Sequence, residues 1–166
     1  MARLATTRDE QAGARLFGDA LAAAQPHPTS PAVTQLPVLS QIANAADTGR
    51  ARDFGQEIAP RIPWTPTTRG PDNGTEIALC WIHELLTTKP MTAGITFMGA
   101  NAVYPLHNHP PKELYLTISG TAQWRWGGAE ELASVGPDQL LFNQSMDRHM
   151  MVTGDEPLLA LWFLWH

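Results

Sequence analysis

Tyr104-Pro-Leu-His107-Asn-His109-Pro-Pro-Lys-Glu113-Leu-Tyr115-Leu-Thr-Ile-Ser-Gly120 is the stretch on which the reading of this chain turns. In an extended chain alternate side chains share a face, so His107, His109, Glu113 and Tyr115 converge from odd positions while Tyr104 falls out of phase. The other phase carries Leu114, Leu116 and Ile118. The strand after Pro110-Pro111 therefore turns a polar face inward and an apolar face outward, with alternation carried across the proline break. Two imidazoles and a carboxylate suit Zn(II), Fe(II), Mn(II) or Ni(II), and a third imidazole would leave positions open for a substrate. His149, in Met146-Asp-Arg-His149-Met-Met, supplies it. The expectation is one divalent metal ion held by His107, His109, Glu113 and His149.

Around this stretch the chain has two organisations. From Arg3 to about Ala24, Leu4, Leu16, Phe17, Ala20, Leu21 and Ala24 recur at helical intervals among good helix formers. That amphipathic helix stops at Gln25-Pro26-His27-Pro28. Ser30-Pro31 then offers an N-cap and a first-position proline for a shorter helix through Leu39, Ile42 and Ala46. Residues 60–75 are dense in proline and glycine, which predicts neither helix nor sheet pairing there. Beyond them short apolar runs alternate with turns: Ile77–Leu85, Ala93–Gly99, Glu113–Ser119, Ala122–Gly128, Gln139–Asn143 and Pro157–Trp165. The division expected is a helical extension and linker over 1–75 and a β-barrel over 76–166.

Composition narrows the function. The 166 residues are 43% hydrophobic and 16% charged, enough for one domain with a proper core. A net charge of -5 and scattered Lys and Arg leave no basic stripe for nucleic acid. The N-terminus has neither a signal peptide's apolar centre nor a membrane span, so the expected address is the cytoplasm, with no membrane partner. Cys80, alone, reads as a buried thiol, and Asn73-Gly74-Thr75 as an idle triplet. His27 and His83 belong to no ligand spacing, His166 is assigned no function, and Met146, Met150 and Met151 read as gap fillers.

His-x-His, three residues, Glu, six residues, Gly is the first motif of the cupins, and positions 107 to 120 resemble it without a gap. The likeness implies a mainly β double-stranded helix, a jelly-roll barrel, preceded here by α-helices. Two departures stand out: Gly99 comes two residues early, and after Gly136 the second motif's histidine is delayed to position 149. The chain more closely resembles the cupin-type dimethylsulfoniopropionate (DMSP) lyases of marine bacteria. The likeness lies in Arg69–Leu85, in Tyr104–Gly120, and in His149-Met-Met-Val-Thr-Gly followed by Pro157–Trp162. Those enzymes carry a Tyr three residues before His-x-His and another two residues after the Glu, as Tyr104 and Tyr115 stand here.

That resemblance implies a small sulfonium carboxylate as substrate and its β-elimination to dimethyl sulfide and acrylate. Removing an α-proton beside a carboxylate builds a second negative charge, which a metal bound to that carboxylate takes up. The base must lose its own proton first. Free tyrosine has a pKa of about 10, and a nearby divalent cation favours the phenolate. Tyr115, in phase with the ligands, is the candidate base, and Tyr104 the reserve or a substrate hydrogen-bonding group. The sulfonium calls for aromatic walls, and six tryptophans offer material without saying which point inward. Other readings stay open: another metal cupin such as a dioxygenase or isomerase, or a non-catalytic cupin binding a small ligand. A homodimer is compatible with the apolar strand faces.

Overall fold

The computed structural model describes residues 7–26, 35–44, 53–67, 69, 76–87 and 92–166. Helix α1 spans Arg8–Ala22 and is started by a reciprocal cap: Glu10 N–H donates to Thr7 Oγ1 and Thr7 N–H to the Glu10 carboxylate. Arg3 and Leu4 lie outside the described residues, as do Ser30-Pro31 and Ala46. The second helix is present as a 3₁₀ helix over Pro37–Asn44. Single turns follow at Phe54–Ile58, of π type, and at Ala59–Arg61, of 3₁₀ type. Among the described residues no helix is long and apolar enough to cross a membrane.

The strands are β1 (Gln25–Pro26), β2 (Thr65–Pro66), β3 (Ile77–Trp81), β4 (Leu86–Thr87), β5 (Thr92–Met98), β6 (Val103–His107) and β7 (Lys112–Ser119). Then come β8 (Ala122–Arg125), β9 (Ala133–Val135), β10 (Leu140–Asn143), β11 (His149–Thr153) and β12 (Leu158–Trp165). Antiparallel pairing sets them in a six-stranded sheet β10-β7-β12-β5-β3-β2 and a four-stranded sheet β6-β11-β8-β9, with β1 and β4 as a separate pair. The expected cupin barrel is the fold observed.

Period-two patterning sorts the strands between two cores. Ile77, Met98, Tyr115, Leu141, Ala160 and Trp162 point between the sheets, where they meet Tyr104, Trp124, Val135 and Met151 of the smaller sheet. Their neighbours Ala78, Cys80, Ile95, Phe97, Leu114, Leu159 and Phe163 point outward, against the N-terminal segment. There Phe17 of α1 stacks on Phe163 at 4.1 Å between ring centroids, and Lys112 Nζ reaches Asp9 Oδ2 at 3.1 Å. Gly13 of α1 leaves room for the indole of Trp165, where a Cβ would overlap the ring.

One expectation is corrected. The proline-rich linker does pair: Thr65 and Pro66 register with Leu79 and Ala78 at the outer border of the larger sheet. An edge strand needs hydrogen bonds on one side only, so Pro66 is tolerated with its missing N–H turned away from the ladder. The linker thereby ties the N-terminal segment into the barrel wall.

Inside the barrel Trp162 lies opposite Gly94 in the β12–β5 register, and a Cβ on residue 94 would overlap the indole. Gly94→Val should therefore destabilise the fold by roughly 1–3 kcal/mol, the usual cost of overpacking. Urea denaturation checks it, and an unchanged midpoint would contradict this packing.

Candidate metal centre

The four expected ligands come from three strands and one loop, and the structure brings them together. His107 ends β6 and pairs in register with His149 at the start of β11. Glu113 lies on β7 opposite Asn143 of β10. His109 sits in the Pro110-Pro111 loop, whose path is tied to the β10–β11 turn by Met146 N–H donating to His109 O at 2.9 Å. That turn, closed by Gln144 N–H on Asp147 Oδ2 at 2.8 Å, takes up the residues that delay His149 in the sequence.

Each imidazole is held by the same device. The Nδ1 atoms of His107, His109 and His149 lie 2.9, 3.0 and 2.9 Å from the carbonyl oxygens of Pro105, Pro111 and Asp147. A carbonyl only accepts, so each Nδ1 carries the proton and each Nε2 keeps its lone pair for the interior. The three histidines present ligand atoms within 4.8 Å of one another. Glu113 Oε2 lies 3.2 Å from His109 Nε2 and 3.0 Å from His149 Nε2, and also accepts from Asn143 Nδ2 at 3.2 Å. The His149 Nε2 atom is fully buried without a hydrogen-bond partner, since its contact with Glu113 lacks hydrogen-bond geometry. Lone pairs facing a carboxylate across about 3 Å repel unless a positive charge is shared between them. The donor set thus fits a divalent cation.

Electrostatics agree in direction. Burial, reinforced by His149, lowers the His107 pKa to about 4. Burial opposes the charged form of His109 too, but the contact with Glu113 outweighs it and raises that pKa. For Glu113 burial alone would favour the acid; the adjacent His109 and His149 win and hold its pKa at about 2. Tyr115 is pushed well above the ordinary tyrosine value by burial and then by the charge of Glu113. Tyr104 is also raised by burial, although hydrogen bonds from Thr67 and Arg69 pull the other way.

Both tyrosines line the cavity beside these ligands, with Thr67, Arg69, Trp81, Thr96 and Trp162. The out-of-phase placement expected for Tyr104 is overturned. Between the pairs His149–His107 and Met151–Tyr104, β6 carries one residue more than β11, and this bulge turns Tyr104 to the ligand face. Its ring centroid lies 4.9 Å from that of His107. Tyr115 is where the alternation put it, next to Trp162 in the register. Two of the inward tryptophans line the cavity, Trp81 and Trp162, which meet edge to face at 4.9 Å, while Trp124 is buried behind Tyr115. Trp64 is buried in the outer layer, donating to Ala59 O, and Trp165 packs outside the barrel. Asn143 and Arg69 were not anticipated. Asn143 follows Phe142 in the expected run and Arg69 opens a stretch of likeness, but neither belongs to a ligand spacing.

Residues 7–160 match the sequence model of the dimethylsulfoniopropionate lyase family. The chain belongs to that family. A segment of 75 residues, 45% of this chain, is 33% identical to the dimethylsulfoniopropionate lyase DddQ of Ruegeria pomeroyi, of whose length the match spans 36%. The crystal structure of DMSP lyase DddQ from Ruegeria pomeroyi superposes with a TM-score of 0.73 over 92% of both chains at 21% identity. A chain from the structures of the DMSP lyases RdDddP and RnDddQII gives 0.70 at 20% identity, covering 92% of this chain and 90% of that one. These superpositions extend past the barrel to most of the N-terminal segment.

The shifted histidine yields a pH prediction for metal-free protein. His107 has a pKa depressed from 6.5 to about 4, so as pH falls between those values the unfolded chain takes up a proton that the folded chain refuses. Its contribution is present above pH 6.5 and lost on acidification. His109, shifted upward, works in the opposite sense, so the difference between wild type and His107→Gln isolates the effect. Urea titrations in chelator should show wild type losing more stability than His107→Gln between pH 6.5 and 4; parallel losses would contradict the assignment.

Proposed function

We propose that this protein is a metal-dependent DMSP lyase in which His107, His109, Glu113 and His149 hold the ion and Tyr115 removes the α-proton. The observation that carries the reading is that two tyrosines, His107, His109 and a buried carboxylate line one small cavity with two indole walls, with His149 buried against the same carboxylate, in a chain of the DMSP lyase family. The cavity volume of about 160 Å³ suits a molecule well below drug size. A bound divalent ion would supply the positive charge that stabilises a carbanion next to a carboxylate and favours phenolate over phenol.

The protein's own groups divide the remaining work. Tyr115 Oη takes the α-proton, the α-carbon electron pair forms the double bond, and the C–S bond breaks with its electrons going to sulfur. Dimethyl sulfide leaves neutral and acrylate remains, so no general acid is required. Burial, and then the charge of Glu113, keep the Tyr115 proton in place. The base is thus silent until the negative charge beside it is compensated. Trp81 and Trp162 offer electron-rich faces to the sulfonium, worth roughly 0.5–2 kcal/mol. Tyr104, 4.9 Å from His107 between ring centroids, is the reserve base or a hydrogen-bonding group for substrate.

Purified protein supplied with Mn(II), Fe(II) or Zn(II) should release dimethyl sulfide and acrylate from DMSP in equal amounts, and chelation should stop it. Tyr115→Phe should lower kcat by about 10²–10⁴-fold, the range of general-base contributions, with metal content unchanged. No release with any of the three metals would overturn the reading. Full activity of Tyr115→Phe would remove Tyr115 from the role of base.

A further inference from the structure

We propose that Arg69 anchors the substrate's carboxylate, which makes the N-terminal segment a part of the binding site; this rests on the cavity being a site for a sulfonium carboxylate. Among the described residues lining the cavity, Arg69 is the sole permanent cation, since the lining holds no other Arg or Lys. A zwitterionic substrate needs a positive contact at one end and an electron-rich one at the other. Arg69 and the pair Trp81–Trp162 line the same cavity and supply the two.

The arginine is also held in place. Its backbone N–H donates to Thr67 Oγ1 at 3.1 Å, and Thr67 is itself buried beside β2. Thr67 and Arg69 line the cavity with Tyr104, and both favour the ionised form of its hydroxyl against the effect of burial. A guanidinium carries five N–H donors in a planar fork, so Arg69 can offer a flat pair to a carboxylate. The edge pairing of Thr65–Pro66 with β3 delivers this turn to the rim of the site. Arg69 lines the same cavity as Tyr115, His107 and His109, so its charge lies close to where the reacting carboxylate would stand.

The test measures binding of two half-substrates to metal-loaded protein by tryptophan fluorescence: propionate, which has only the carboxylate, and trimethylsulfonium, which has only the cation. Arg69→Met should weaken propionate by about tenfold or more and raise KM for DMSP in parallel, as loss of a charge-assisted contact does. Trimethylsulfonium affinity should stay as in wild type, and Arg69→Lys should recover part of the loss. Unchanged propionate binding in Arg69→Met would overturn the proposal, and so would equal loss of both probes, which marks a collapsed cavity. Propionate binding that depends on Arg69 in a protein without dimethyl sulfide release would uphold the anchor and sink the lyase reading.

Discussion

Glu113 is a carboxylate taken almost wholly out of water, and the barrel is arranged around that fact. An isolated buried charge costs several kcal/mol, so it persists only where partners compensate it. Here one amide N–H, from Asn143, and two imidazole nitrogens surround the same oxygen. The backbone carbonyls behind His109 and His149 fix their protons on the far nitrogen. Each detail makes sense for a site built to close on a cation. Burial and then the same charge raise the pKa of Tyr115, so in the proposed reaction the compensation of Glu113 and the availability of the proposed base are one electrostatic problem.

Meeting that constraint requires β6, β7, β10, β11 and the loop at His109 to converge, and two separate cores keep them there. The inner core sits between the sheets below the site, and the outer one glues the larger sheet to the N-terminal segment. Leu114, Phe163 and Leu159 face outward between ligand-bearing or inward positions, so covering the outside of the sheet also fixes the inside. The clasp from Lys112 to Asp9 sits next to Glu113 in the chain, at the point where helix and ligand strand meet.

Much of the site was legible because its spacing is local. Glu113 and Tyr115 are two residues apart on one strand, and the alternation that puts them on one face is a property of extended backbone. Tyr104 was misplaced by the same rule, since one extra residue opposite His149 and Met151 shifts the phase. The pairing of Thr65–Pro66 was missed because proline density reads as a break, while an edge position removes the conflict.

By itself the sequence determined the candidate donor set, the inward and outward phases of the strand after Pro110-Pro111, and the candidacy of Tyr115. All three follow from covalent geometry and side-chain chemistry acting over a few residues. Only the tertiary structure decided that Asn143 would steady Glu113, that Trp81 and Trp162 would wall the cavity, and that Arg69 would reach it from the linker. These depend on sheet closure and on the register between strands far apart in the chain, where one residue of slip exchanges every face.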